Sequence, residues 1–134
     1  MLGRRILFLM LFHFFHLTLG VPSPDDPTRP RPAGSTECTD PSDQTAMIPD
    51  VVTCINEARG LGDIAYSDTE CRPITTSGTA EIGVCGVFHM SGEDLYWRMI
   101  QIEFDCWHQD FKGPTGGIWR DDGEPDWYLY INGL

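Results

Sequence analysis

Residues 91 to 107 read Ser91-Gly92-Glu93-Asp94-Leu95-Tyr96-Trp97-Arg98-Met99-Ile100-Gln101-Ile102-Glu103-Phe104-Asp105-Cys106-Trp107 and carry the clearest periodicity in the chain. Leu95, Met99, Ile102 and Cys106 recur at steps of three and four, which makes one stripe of a helix, with Tyr96, Ile100 and Trp107 beside it. Ser91 suits the N-cap, since its hydroxyl can accept from the backbone three residues on while Asp94 reaches back. Asp94 and Arg98 sit four apart as a supporting charge pair. A helix with one apolar stripe needs a surface to cover, so the rest of the chain must supply it.

Upstream, Ile48-Pro49-Asp50 opens a second helix: proline fits a first turn, the acid favours the positive end, and Val51, Cys54, Ile55 and Ala58 follow at helical spacing. Gly60 and Gly62 stop it. A short strand is expected at Ile64 to Ser67, then a polar loop containing Pro73 and Gly78, then one strand from Thr79 to Phe88 centred on Ile82, Val84 and Cys85. Downstream, Gly117-Ile118-Trp119-Arg120 and the alternating Trp127-Tyr128-Leu129-Tyr130-Ile131 flank the turn chemistry of Asp121 to Asp126 and form a hairpin. A first strand belongs near Thr36 to Thr39 or Thr45 to Met47. The order implies an α+β fold: a split βαβ two-layer sandwich, with two helices on one face of an antiparallel sheet.

Residues 1–20 have the build of a secretory leader: Arg4 and Arg5, an apolar run from Ile6 to Leu19, and small-residue cleavage chemistry at Thr18-Leu19-Gly20. The run is short for a bilayer span and His13 and His16 interrupt it, so no stable membrane insertion is expected after leader removal. Residues 21–36 contain five prolines and no large apolar residue after Val21, and read as an extended spacer that cannot bury a core. The single folded domain is then residues 37–134. Loss of the leader leaves seven basic residues against 20 acidic ones. The few cations are scattered, and a phosphate backbone demands a basic stripe, so nucleic acid is excluded as a partner and an anionic membrane is disfavoured.

Five cysteines, Cys38, Cys54, Cys71, Cys85 and Cys106, are spread through the domain without a close pair, which argues for disulfide staples in an oxidising compartment and against a zinc site. Two bridges leave one thiol over, and spacing alone leaves the pairing open. With Cys54 and Cys106 on helices and Cys85 in a central strand, the preferred arrangement joins Cys54 to Cys85 and Cys38 to Cys106. Cys71, in a loop-like Thr69-Glu70-Cys71-Arg72-Pro73, is the candidate free thiol.

No catalytic site is legible. The acidic turn at Asp121 to Asp126 lacks the spacing of a calcium loop and reads as solvated, so no metal and no cofactor are expected. A small secreted hydrolase, ribonuclease first, is the enzymatic alternative, with Arg98, Glu103 and His108 as candidates. Arg98 and Glu103 lie about 140° apart around their helix and diverge. The aromatic residues exceed what one sheet face and two stripes can hide, and Trp107, Trp119, Tyr128 and Tyr130 are the candidate interface.

A leader, a Pro-rich spacer, a cysteine in a first helix (Asp50-Val51-Val52-Thr53-Cys54), a strand ending in Gly83-Val84-Cys85-Gly86, a helix bearing Cys106, and Gly116-Gly117 before a final aromatic strand together resemble the small cysteine-rich proteins secreted by filamentous fungi. More narrowly, the chain is similar to the killer-toxin-like and necrosis-inducing effector group. The resemblance implies a split α/β sandwich and a non-enzymatic extracellular effector, active in virulence or antagonism, that binds a host or competitor protein. It carries over no active-site residue.

Overall fold

The computed structural model describes residues 31–40, 45–110, 115–123 and 126–134, the side chains of 108–110 aside. The elements run β1 (Gly34–Cys38), α1 (Ile48–Arg59), β2 (Asp63–Tyr66), β3 (Cys71–Ser77), β4 (Ala80–Cys85), β5 (Phe88–Ser91), α2 (Gly92–Asp110), β6 (Gly117–Asp121) and β7 (Tyr128–Gly133). Five strands form one sheet in the order β1-β6-β7-β4-β3, with every neighbour antiparallel, while β2 and β5 pair as a separate ribbon. That order makes the edge strands β1 and β3 parallel to each other with α1 between them in sequence. It also makes β4 and β6 parallel, with α2 between them in sequence and β7 between them in space. These are two split βαβ connections.

The sheet splits its residues by alternation. Ile82 and Val84 of β4, Trp119 of β6, and Leu129 and Ile131 of β7 point to one face and are fully buried or nearly so. On that face α1 packs against β3 and β4, α2 packs against β1, β6 and β7, and the helices touch each other. Val51, Cys54, Ile55 and Ala58 of α1 and Leu95, Met99, Ile102 and Cys106 of α2 supply the helical half of the core, as their spacing predicts. Among the described residues no helix is long and apolar enough to cross a membrane.

Helix ends are fixed as their sequences suggest. The Asp94 backbone amide donates to Ser91 Oγ at 3.1 Å, and the Ser91 hydroxyl donates to the Asp94 carboxylate at 3.0 Å. Arg98 donates at 3.1 Å to the Asp94 carbonyl oxygen. The two helices are pinned where α1 ends and α2 begins: a Cβ on Gly92 would stand 2.5 Å from the Ala58 carbonyl oxygen. There Arg59 grips Glu93 through Nε at 2.6 Å and Nη2 at 3.1 Å, with its guanidinium 4.3 Å from the Tyr96 ring. Asp50, in the first turn of α1, reaches across to the β3–β4 turn and accepts from Thr79 N at 2.8 Å and Thr79 Oγ1 at 2.7 Å. Those two bonds hold its carboxyl below the usual carboxylate range.

Several expectations are corrected. The polar loop around Pro73 is strand β3: it lies on a sheet edge, where a residue without an N–H is tolerated, and the register is irregular between Pro73 and Thr75. The single strand expected from Thr79 to Phe88 breaks at Gly86, whose φ of +104° turns the chain out of the main sheet and into the ribbon. The first strand starts at Gly34, inside the stretch read as spacer, and Gly34 is bare because the Trp119 ring occupies the space of a side chain.

The cysteines follow the alternation too. Cys38–Cys106 ties edge strand β1 to α2, as expected, with the Cα atoms 5.2 Å apart. The expected Cys54–Cys85 bridge is not formed: Cys85 follows the inward Val84 and so points to the face away from α1, where its register partner Cys71 bonds to it. Cys71 is therefore not the free thiol. That role falls to Cys54, buried beneath α1 with Sγ 3.5 Å from the Ala80 carbonyl oxygen.

Candidate functional site

Four aromatic residues were expected to form an interface, and the structure scatters them. Trp107 lies on α2 and is 37% exposed. Trp119 faces inward and is wholly buried, so it forms no surface; the Arg98 guanidinium covers its ring at 5.1 Å. Tyr128 and Tyr130 alternate onto the outer sheet face. Tyr128 is half-buried beneath Arg120, 4.5 Å from its ring, with its hydroxyl 3.8 Å from Cys71 Sγ. Tyr130 lies over Gly83, where a Cβ would stand 2.3 Å from the phenolic oxygen, and donates to Glu81 Oε1 at 2.8 Å. Burial, then that bond to a carboxylate, push its phenol well above the usual range.

A different constellation lines a concave surface. A cleft of about 610 Å³ opens where the β2–β5 ribbon meets the start of β7, lined by Ala65, Tyr66, Ser67, Val87, Phe88, His89 and Trp127. The break at Gly86 builds it. The Gly86 amide donates to the Glu70 carbonyl oxygen at 3.4 Å, and a Cβ at Gly86 would lie 2.2 Å from the Asp126 carbonyl oxygen. With Gly86 held there, Val87 is thrown outward, 53% exposed, while Phe88 turns in. Phe88 pairs with Tyr66 across the ribbon and so shares its face. Its ring meets Trp127 edge-on at 5.1 Å, and Trp127 lies 5.8 Å from Trp119, which joins the floor of the cleft to the core. At the rim, the Arg72 guanidinium is 5.9 Å from the Tyr66 ring and is held by Asp68.

This lining suits apolar and aromatic contact. One imidazole, one serine hydroxyl, one phenol and the Trp127 indole N–H are its polar side-chain groups, and the lining residues include no carboxylate, guanidinium or ammonium. The alternative enzymatic set is described only in part. Arg98 stacks on Trp119, whereas Glu103 is 7% exposed, with its carboxyl pushed up by burial; the His108 side chain lies outside the described residues. Asp121 accepts from Gly123 N at 2.8 Å, a turn contact, and Glu124 and Pro125 of the acidic turn lie outside the described residues. Among the described residues no group of three or more potential metal ligands comes together.

Sequence reasoning missed Tyr66, Val87, Phe88 and His89 because it ran one strand through Gly86. The available signal was Gly86-Val87-Phe88 itself, a glycine followed by two apolar residues that cannot both be inward on a strand. Comparison with protein-family models, with curated proteins and with solved structures finds no match to this chain.

Proposed function

We propose that this is a secreted effector-like protein that acts by binding an extracellular protein of a host or competitor, without catalysis, through the Tyr66–Val87–Phe88–Trp127 cleft. One observation carries the reading: the cleft is walled largely by aromatic and aliphatic side chains, with an exposed valine at its lip and no carboxylate, guanidinium or ammonium among its lining residues. The leader-like first twenty residues and the two disulfides agree with an oxidising, extracellular setting. The resemblance to the killer-toxin-like effector group belongs to the same reading and gives the kind of target.

The test compares the wild-type chain with Val87→Asp, an exposed change that leaves the core intact. Each is immobilised and exposed to extracellular fluid from candidate hosts and competitors, and bound protein is identified by mass spectrometry. A partner retained by the wild type and lost at least about tenfold by Val87→Asp is expected, since burying an unpaired carboxylate at an apolar contact costs more than 1.4 kcal/mol. An identical set on both proteins removes the cleft from the mechanism. Hydrolysis of RNA by the wild type, abolished by His89→Ala, would replace binding with catalysis.

A further inference from the structure

The two disulfides stand in opposite surroundings. Cys38–Cys106 lies between edge strand β1 and α2, where Cys106 is 7% exposed and Gly117 backs onto its sulfur, a Cβ there lying 2.9 Å from Sγ. Cys71–Cys85 lies on the outer face of the sheet, away from both helices, and Cys71 is an exposed residue of edge strand β3. Beside it on that face is the Tyr128 hydroxyl, 3.8 Å from Cys71 Sγ. A thiolate needs open access to one sulfur of a disulfide, so an exposed bridge exchanges far faster than an enclosed one.

The exposed bridge also closes the mouth of the β3–β4 hairpin, where the chain passes to and from the β2–β5 ribbon. Residues 67–70 lead from β2 to Cys71, and Gly86 and Val87 lead from Cys85 to β5. The disulfide holds these connections together, with a hydrogen bond of 3.4 Å from the Gly86 amide to the Glu70 carbonyl oxygen. Cys85 is fixed in other ways too: it pairs with Tyr128 of β7, and Gly86 after it abuts the Asp126 carbonyl oxygen. Cys71 sits on an edge strand, with β4 as its neighbour. When the bridge is cut, Cys71 and residues 67–70 are therefore the side that moves, and they carry Tyr66 and Ser67, one wall of the cleft, away from Trp127. Cys54 lies on the opposite face beneath α1, so it captures neither released thiol.

We propose that Cys71–Cys85 is a thiol-exchange site for a dithiol, and that its cleavage opens the Tyr66–Ser67 wall of the cleft in an otherwise folded protein. One thiolate of the dithiol attacks Cys71 Sγ; a mixed disulfide forms as the Cys71–Cys85 bond breaks, and Cys85 leaves as a thiolate that takes up a proton. The second thiolate of the dithiol then attacks its own partner sulfur in the mixed disulfide, and Cys71 leaves in the same way. The protein gains two electrons and two protons, and the dithiol ends as a disulfide. This control rests on the binding role proposed for the cleft only for its purpose, since the exchange and the movement of the wall need no partner.

The test treats the full, oxidised chain with dithiothreitol under native conditions, quenches by alkylation at intervals and maps the labelled cysteines by mass spectrometry. Cys71 and Cys85 should be labelled at least about tenfold faster than Cys38 and Cys106. In the singly reduced protein, amide hydrogen exchange should rise at least about tenfold at residues 66–71 and stay unchanged across α2, and oxidised glutathione should reverse the rise. The double variant Cys71→Ser, Cys85→Ser should show the same exchange pattern with and without dithiothreitol, which separates loss of the bridge from any other action of the reagent. Equal labelling rates for the two bridges, or earlier labelling of Cys38 and Cys106, overturns the exchange site. Exchange at residues 66–71 that stays at the oxidised level, or that rises equally across α2, overturns the opening. Either failure leaves the Val87→Asp comparison, and the binding role it tests, untouched.

Discussion

Gly86 shows how much one residue decides. Its φ of +104° lies where a side chain is strained, and the Asp126 carbonyl oxygen fills the space that a Cβ would need. Gly86→Ala should therefore cost about 2–4 kcal/mol in urea unfolding and perturb the Val87 and His89 resonances. Glu103 carries a different burden. Burial raises its folded-state pKa, so its neutral form favours the fold: the stability this contributes is complete below the ordinary glutamate pKa and is lost as pH rises through the raised value. Glu103→Gln, which keeps the neutral shape, should raise the melting temperature at pH 7.5 by about 2–5 °C and leave it nearly unchanged at pH 3.5. A gain that persists undiminished at low pH would mean that the carboxylate is not the source of the instability.

At the scale of the element, α2 is the part whose sequence and structure agree most closely. Its stripe was legible because Leu95, Met99, Ile102 and Cys106 keep helical spacing over three turns, and its start because Ser91 both accepts from Asp94 N and donates to the Asp94 carboxylate. Ser91→Ala should cost about 1 kcal/mol, seen as a lower urea midpoint at unchanged slope. Strand β3 was not legible for an equally physical reason. Its residues are mostly exposed, it carries a proline and it bulges, so the apolar alternation that marks a strand is missing, and its pairing with β4 is what holds it extended.

For the whole molecule, the two disulfides act over different lengths. Cys38–Cys106 closes a separation of 68 residues and joins the N-terminal edge strand to the second helix, whereas Cys71–Cys85 closes 14 residues within one hairpin. On loop entropy alone, replacing the first pair by serines should cost about 4 kcal/mol and the second about 3 kcal/mol, measured by urea unfolding of the paired variants. Equal loss of all tertiary structure on removing the short bridge alone would show that the hairpin, and not the long link, organises the fold. The cleft depends on the same hairpin, since Cys85 is the residue before Gly86 and the ribbon begins two residues later.

The amino-acid order by itself determined the two helices, the final hairpin and the α+β class, because each rests on a local period or on the helical and strand faces that the period defines, while the Cys38–Cys106 link was one preferred pairing among several that spacing left open. Pairing of Cys71 with Cys85, burial of the Cys54 thiol and of Trp119, and assembly of the cleft from Tyr66, Val87, Phe88, His89 and Trp127 were decided only in three dimensions. Each depends on which of two sheet faces a residue occupies, and a one-residue change of phase, such as the break at Gly86, reverses that face for everything after it.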